Sequence, residues 1–124
     1  DKGDPAPRPP RPGEFCWETL LATDLPGAKQ FYESIFGWQA PDGPMPVFAL
    51  DGQPDALVAD YQQAQAMRAT WLTYVVVDDL AAARDRTVAL GGTIKMKELV
   101  VPNLGAYGLI VDPLDAPIGL FEPA

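Results

Sequence analysis

The 124-residue sequence contains no histidine and a single cysteine, Cys16. Histidine is the commonest metal ligand in proteins and the usual proton carrier near neutral pH. Its absence excludes a Ser-His-Asp triad, a histidine-ligated zinc site and a two-histidine, one-carboxylate iron site built from this chain alone. One cysteine excludes an internal disulfide framework and fits a reducing compartment, so we expect a cytoplasmic protein.

Basic residues and long apolar runs are also scarce. Nine Lys and Arg residues stand against 17 Asp and Glu residues, which gives a formal net charge of −8 at pH 7. Nucleic acid binding requires a basic face, so this balance argues against nucleic acid and against anionic membranes as partners. No apolar run approaches the length of a membrane span. A neutral or cationic small molecule is compatible with this charge.

The sequence does contain one pattern that occurs twice. LLATDLPGAKQFYESIFGW (20–38) and VVVDDLAAARDRTVALGGT (75–93) each contain a short apolar run, then Asp-Leu, a helical stretch and a glycine. The distance along the sequence from the first Asp-Leu pair to the second equals the distance from the first closing glycine to the second. This shared offset predicts one βα unit used twice within one compact domain.

Local signals extend each βα unit to a βαβββ module. In the first helix we expect Asp24 as N-cap, Gly37 as terminator and Phe31, Tyr32, Ile35 and Phe36 in the helix core. In the second, Asp78 or Asp79 caps a helix over 80–90. Strands are predicted over 14–23, near Trp38, and over 46–50, 56–61, 71–77, 93–101, 106–111 and 117–121. Turns are predicted at 41–44 and 51–55, and a crossing between the modules at 62–69.

Residues 1–13 are rich in proline and read as an extended tail or an interdomain linker. A ligand for an aromatic groove that binds proline-rich segments is the functional alternative. The domain itself is predicted over 14–124, with modules at about 14–61 and 70–123.

Three segments together resemble the vicinal oxygen chelate superfamily, the glyoxalase/bleomycin-resistance/dioxygenase fold. They are TDLPGAKQFYESIFGW, YVVVDDLAAARDRTVALGGT and GAYGLIVDPLDAPIGLFEP. The resemblance implies an α+β fold in which two βαβββ modules form a half-barrel around a concave pocket. It also implies a small-molecule partner and a homodimer. One departure is Asp115, which stands where the family usually has glycine.

Metal-dependent members of this superfamily take ligands from strands that face the pocket. The resemblance places three of the four ligand positions at Trp17, Leu72 and Gly119, and the fourth within 56–60. Side chains of Trp, Leu and Gly do not bind a divalent metal. We therefore expect no metal and no other cofactor.

Strand alternation predicts which residues line the pocket. The expected ligand-binding set is Trp17, Thr19, Leu72, Tyr74, Tyr107, Leu109, Gly119 and Phe121, with Leu21 and Val76 on the same face. Apolar walls with a few polar groups are typical of binding pockets. The alternative is that these residues fill an ordinary core.

The leading hypothesis is a metal-free protein that sequesters or senses an aromatic or amphipathic ligand. One alternative is a lyase- or isomerase-type enzyme that uses a carboxylate, Glu18 or Asp60, with a weakly held divalent metal. Alternation places Glu18 on the helix-covered face, which disfavours it. Another alternative is a structural half of a larger two-domain protein. The sequence leaves open whether the chain catalyses a reaction.

Overall fold

The computed structural model describes residues 8–41, 46–64 and 68–124. Those ranges contain seven strands and two helices. Their chain order is β1 (Phe15–Ala22), α1 (Leu25–Phe36), β2 (Val47–Leu50), β3 (Gln53–Gln63), β4 (Thr70–Val76), α2 (Leu80–Ala89), β5 (Thr93–Val101), β6 (Gly105–Val111) and β7 (Pro117–Pro123). The predicted α+β class and the repeated strand–helix unit are therefore confirmed. No helix in the described ranges is long and apolar enough to cross a membrane.

The first of two compact units spans residues 17–73. Its middle strand is β3, with which β1 pairs in parallel and β2 in antiparallel orientation. Leu20 and Ala22 of β1 belong to a buried cluster that also contains residues of β2 and α1. Because successive side chains point to opposite faces of a strand, Trp17 and Thr19 lie on the face of β1 turned away from α1.

The second compact unit combines residues 74–124 with the described residues up to Cys16. Here β4 pairs in parallel with β7, and β7–β6 and β6–β5 pair in antiparallel orientation. Leu80 of α2 packs in a buried cluster with Ala106 and Leu120. Each unit therefore buries one face of its strands under its own helix, as an amphipathic βα repeat requires.

The helix boundaries follow from capping chemistry that the sequence predicts. Asp24 Oδ1 accepts a hydrogen bond from the Gly27 N–H at 3.1 Å, and Asp79 Oδ1 accepts one from the Ala82 N–H at 3.0 Å. These carboxylates satisfy N–H groups that have no partner inside the helix. Gly37 ends α1 in the left-handed conformation, with φ at 70°. Asp24 and Gly37 are confirmed as cap and terminator, and Asp79 is the cap of α2.

The first unit departs from the predicted module with four strands. The expected strand near Trp38 is reduced to one pair of residues, Gln39 and Ala49, whose backbone groups bond each other at 2.8 and 2.7 Å. Pro41 has no N–H group and cannot extend the pairing. Residues 42–44 of the predicted turn and residues 65–67 of the predicted crossing lie outside the described ranges.

The prediction of an apolar core along α1 is wrong for three of its four residues. Phe31 is 56% exposed, and Ile35 and Phe36 are each 57% exposed. Only Tyr32 packs against the core, where its hydroxyl oxygen also accepts a hydrogen bond from Trp71 Nε1 at 3.0 Å. Helical periodicity detects an apolar stripe, but it does not show whether the strands cover that stripe. We call Phe31, Ile35 and Phe36 the apolar face of α1.

The end of the proline-rich segment makes defined contacts. Arg8 donates two hydrogen bonds to the Glu14 carboxylate, at 2.7 and 2.9 Å, and the Arg11 N–H donates a third at 2.7 Å. These hydrogen bonds lower the pKa of Glu14 from 4.5 to about 2, and those from Arg8 contribute more than the one from Arg11. The Gly13 N–H also donates to the Val76 carbonyl at 2.9 Å. These contacts attach the residues just before β1 to the end of β4.

Candidate functional site

A polar cluster lies on the face of the first unit that α1 leaves uncovered. Asp60 Oδ1 accepts a hydrogen bond from the Trp17 indole N–H at 2.9 Å and a second, short one from the Thr19 hydroxyl. The strand register creates this contact, because Thr19 of β1 lies directly opposite Asp60 of β3. Thr19 is buried, whereas Trp17 and Asp60 are half-buried. The sequence predicts Trp17 and Thr19 on one face but does not predict that they share Asp60 as acceptor.

The second carboxylate oxygen of Asp60 is available to another donor. No described residue donates a hydrogen bond to Oδ2, since both donors bind Oδ1. No fully buried side-chain oxygen or nitrogen within residues 8–41, 46–64 and 68–124 lacks a hydrogen-bond partner. It follows that Oδ2 retains surface open to solvent. The ion pairs among these residues join Arg8 and Arg11 to Glu14, so Asp60 has no cationic side chain beside it there.

The strand register relates Asp60 to Gly119 within the internal repeat, and Asp60 lies in the range 56–60 where the resemblance leaves the fourth ligand position. In the first unit Thr19 lies opposite Asp60, and in the second unit Tyr74 lies opposite Gly119. The number of residues from Thr19 to Tyr74 equals the number from the first helix cap, Asp24, to the second, Asp79. Asp60 is therefore the counterpart of Gly119, one of the positions where the family resemblance places a metal ligand.

These four positions do not fit the metal that the resemblance implies. Trp17 has only an indole N–H, which is a hydrogen-bond donor. Leu72 and Gly119 have no side-chain donor atom for a metal, and Asp60 supplies a lone carboxylate. Transition metals in proteins require several N, O or S ligands. No group of three or more Cys, Asp or Glu side chains suited to a metal occurs in the part of the chain that the structure describes.

An aromatic cluster occupies the corresponding face of the second unit. The rings of Tyr74 and Tyr107 meet edge to face, with centroids 5.2 Å apart, and those of Tyr107 and Phe121 lie 4.7 Å apart. A Cβ atom on Gly119 would collide with the Tyr74 ring. Glycine is therefore needed at 119 because Tyr74 lies directly on the β7 backbone. The second unit therefore has this aromatic cluster on the face where the first unit has the carboxylate of Asp60.

The remaining predicted residues have other environments. Leu72 is 2% exposed and Leu109 is 8% exposed, as expected of core residues. Glu18 is exposed, and alternation places it on the same face of β1 as Leu20. The structure thus groups Trp17 and Thr19 with Asp60 within the first unit. It groups Tyr74 with Tyr107, Gly119 and Phe121 within the second.

Curated relatives share this sequence over most of its length. CFP32 from Mycobacterium tuberculosis, which bears the name of a glyoxylase, is 34% identical over 121 residues, covering 90% of this chain and 46% of the relative. The anthracycline biosynthesis protein DauV from Streptomyces is 27% identical over 116 residues, covering 90% of this chain and 42% of the relative. The chain spans about half the length of the curated relatives it matches.

Solved structures show the same fold. The Mn(II)-bound glyoxalase from Novosphingobium aromaticivorans superimposes with a TM-score of 0.56 at 18% identity, over 90% of this chain and 39% of that one. An extradiol ring-cleaving dioxygenase from Brevibacterium fuscum gives a TM-score of 0.56 at 19% identity, over 97% and 36% of the two chains. The family model of the Glyoxalase/Bleomycin resistance protein/Dioxygenase superfamily matches residues 17–116. With its repeated βα units and parallel β1–β3 and β4–β7 pairings, the chain belongs to that superfamily.

Proposed function

We propose that this chain is a metal-free small-molecule-binding protein that sequesters or senses an aromatic or amphipathic ligand. The observation that carries the proposal is the Trp17–Thr19–Asp60 cluster in the first unit. It joins a half-buried aromatic ring to a fixed carboxylate at positions that the family resemblance relates to metal ligands. An apolar surface with a few orienting polar groups is the usual composition of a binding site.

The aromatic cluster of the second unit supports the same function. Tyr107 and Phe121 are half-buried and lie on a face that α2 does not cover. Aromatic rings contribute large contact areas at a low cost in conformational entropy. We propose Trp17 and Thr19 as ligand-binding residues of the first unit, and Tyr74, Tyr107, Gly119 and Phe121 as ligand-binding residues of the second. Leu72 would support the group in the first unit from the core, and Leu109 would support the group in the second unit.

A carboxylate-dependent lyase or isomerase is the alternative, and the structure favours Asp60 over Glu18 for that role. Both donors to Asp60 bind one oxygen, which leaves Oδ2 in reach of a substrate proton. A general base must lie within hydrogen-bond reach of the proton that it removes. A glyoxylase activity like that in the name of CFP32 would need a metal set that this chain does not supply from the four positions above.

The partners we propose rest on the exposed surface of the chain and on its length relative to its relatives. Contiguous exposed apolar residues on a protein surface commonly mark an interaction site. We propose that the apolar face of α1 pairs two copies of the chain in a homodimer. In a longer protein, as in the relatives of about twice this length, a further domain would take that place. The cysteine content agrees with a cytoplasmic location.

A thermal-shift screen on protein treated with a chelator tests the proposed function. A ligand at one hundred times its Kd stabilises a protein by about 2.7 kcal/mol, which raises Tm measurably. We expect aromatic metabolites to raise Tm without metal, and Trp17→Ala to abolish that effect. Leu114→Ala, at a turn position that is 90% exposed, serves as the control and should keep it. Stabilisation by one divalent metal instead of aromatic compounds would support the enzyme alternative.

A further inference from the structure

We propose that Asp60 binds a protonated nitrogen of the ligand while Trp17 contacts its apolar part, so that the ligand is an organic cation with an aromatic or apolar body. This inference rests on the proposed function, because it states which class of small molecule the same site takes. It assigns the accessible oxygen of Asp60 to a nitrogen cation. The observations that carry it are the charge, the geometry and the surroundings of that carboxylate.

The charge of Asp60 lacks a partner within the described part of the chain. The ion pairs there involve Glu14 with Arg8 and Arg11, in the segment before β1. A half-buried carboxylate is costly unless hydrogen bonds or a cation compensate for lost hydration. Trp17 and Thr19 compensate one oxygen only. A positively charged ligand would compensate the other, and the net charge of −8 favours its approach.

The geometry of Asp60 suits a small ligand with one charged donor. Asp60 lies on β3, which is flanked by β1 on one side and β2 on the other, so its backbone is held from both sides. Two donors on Oδ1 fix the plane of the carboxylate and hence the direction of Oδ2. A preorganised acceptor loses little entropy when a donor binds. An ammonium group forms a charge-assisted hydrogen bond there, which is about twice as strong as a neutral one.

Trp17 supplies the surface for the apolar part of the ligand. Its indole N–H is bound to Asp60, so the orientation of the ring relative to the carboxylate is fixed. The half-buried ring retains exposed surface against which an aromatic or apolar body can pack. A metal ion is a poorer candidate than an organic cation, because Asp60 would be its single carboxylate ligand among the four positions.

Isothermal titration calorimetry with three matched probes tests the inference. The probes are tryptamine as cation, 3-ethylindole as the neutral analogue that lacks the amino group and indole-3-acetate as anion, all with EDTA present. We expect tryptamine to bind about tenfold or more tighter than 3-ethylindole, and indole-3-acetate to bind weakest. Asp60→Asn keeps an acceptor for Trp17 and Thr19 but removes the charge, so it should bring the first two affinities together. Glu18→Gln removes one charge next to Trp17 and is the control that should keep the preference.

The outcomes separate this inference from the proposed function. Equal affinities of wild type for tryptamine and 3-ethylindole would overturn the inference and leave the small-molecule-binding function standing. A cation preference that survives Asp60→Asn would do the same. No binding of any aromatic probe would overturn the proposed function and the inference with it. A series of salt concentrations tests the charge contact on the wild type alone. The affinity for tryptamine should fall as the ionic strength rises, whereas the affinity for 3-ethylindole should not. If both affinities change with salt in the same way, the charge contact is refuted.

Discussion

Truncation of Trp17 separates a binding-site residue from a core residue. A fully buried Trp or Phe replaced by Ala costs about 3–5 kcal/mol of unfolding free energy, because contacts are lost and a cavity remains. Trp17 is half-buried, so part of its ring has no packing partners to lose. Its hydrogen bond to the charged Asp60 is worth about 1.5–3 kcal/mol when fully lost, but water can replace most of it at a carboxylate that is not fully buried. We therefore predict that Trp17→Ala costs less than about 2 kcal/mol.

Two further variants calibrate that number in the same denaturant titration. Trp17→Phe keeps an aromatic ring but removes the indole N–H together with part of the ring system, so it should cost less than Trp17→Ala. Phe48→Ala removes a ring that is 0% exposed and packs in the core of the same unit, so it should cost about 3–5 kcal/mol. If Trp17→Ala destabilises the protein as much as Phe48→Ala does, Trp17 is ordinary core. The binding-site interpretation would then lose its main support.

Other predictions address metal content, assembly, titration and capping. Protein purified without added metal should contain no stoichiometric Zn, Fe, Ni or Mn by elemental analysis, and one equivalent of any of them would contradict the proposal. Light scattering at tens of micromolar should give a dimer mass, and charged substitutions on the apolar face of α1 should reduce it to a monomer mass; a monomeric wild type refutes the dimer. The Glu14 carboxylate should titrate near pH 2 by NMR, because the Arg8 hydrogen bonds lower its pKa from 4.5 to about 2. Its stabilising contribution is therefore present above pH 4.5 and lost as the pH falls through about 2, and Arg8→Gln should return the midpoint toward 4.5. Glu122 Oε1 accepts a hydrogen bond from the first N–H of α2 at 2.7 Å, so Glu122→Ala should cost about 1 kcal/mol by denaturation. Glu98→Ala on an exposed strand position should cost almost nothing, and equal effects would exclude a capping role.

The sequence predicts the elements well because each depends on local chemistry. Asp24 and Asp79 cap their helices, Gly37 adopts the left-handed conformation, and β5 begins and ends at the predicted residues. Asp115, the departure from the family turn, has φ at 78°, which is the conformation for which glycine is usually chosen. Asp tolerates that conformation better than most residues, so the turn survives the substitution.

The candidate site depends on non-local register and is harder to predict. Pairing of β2 with β3 shifts register between Phe48 and Ala49 and again between Ala49 and Leu50. Counting from a neighbouring turn therefore does not show which face of β3 carries Asp60. The exposure of the apolar face of α1 could not be predicted for a related reason. The periodicity of the sequence shows that the helix has an apolar stripe, but it does not show whether other elements cover that stripe. Only the paired strands show that Trp17, Thr19 and Asp60 meet.

The indole N–H resonance of Trp17 shows directly whether a ligand binds beside Asp60 without a metal. In ¹⁵N-labelled protein treated with EDTA, three tryptophans give separate indole signals, from Trp17, Trp38 and Trp71. Titration with tryptamine should shift the Trp17 signal in a saturable way, because that N–H binds the carboxylate that receives the ligand. The Trp38 and Trp71 signals, from the aromatic group beside α1, should stay in place. A Trp17 signal that moves only when a divalent metal is added, or that no aromatic compound moves, would contradict a metal-free binding site at Asp60.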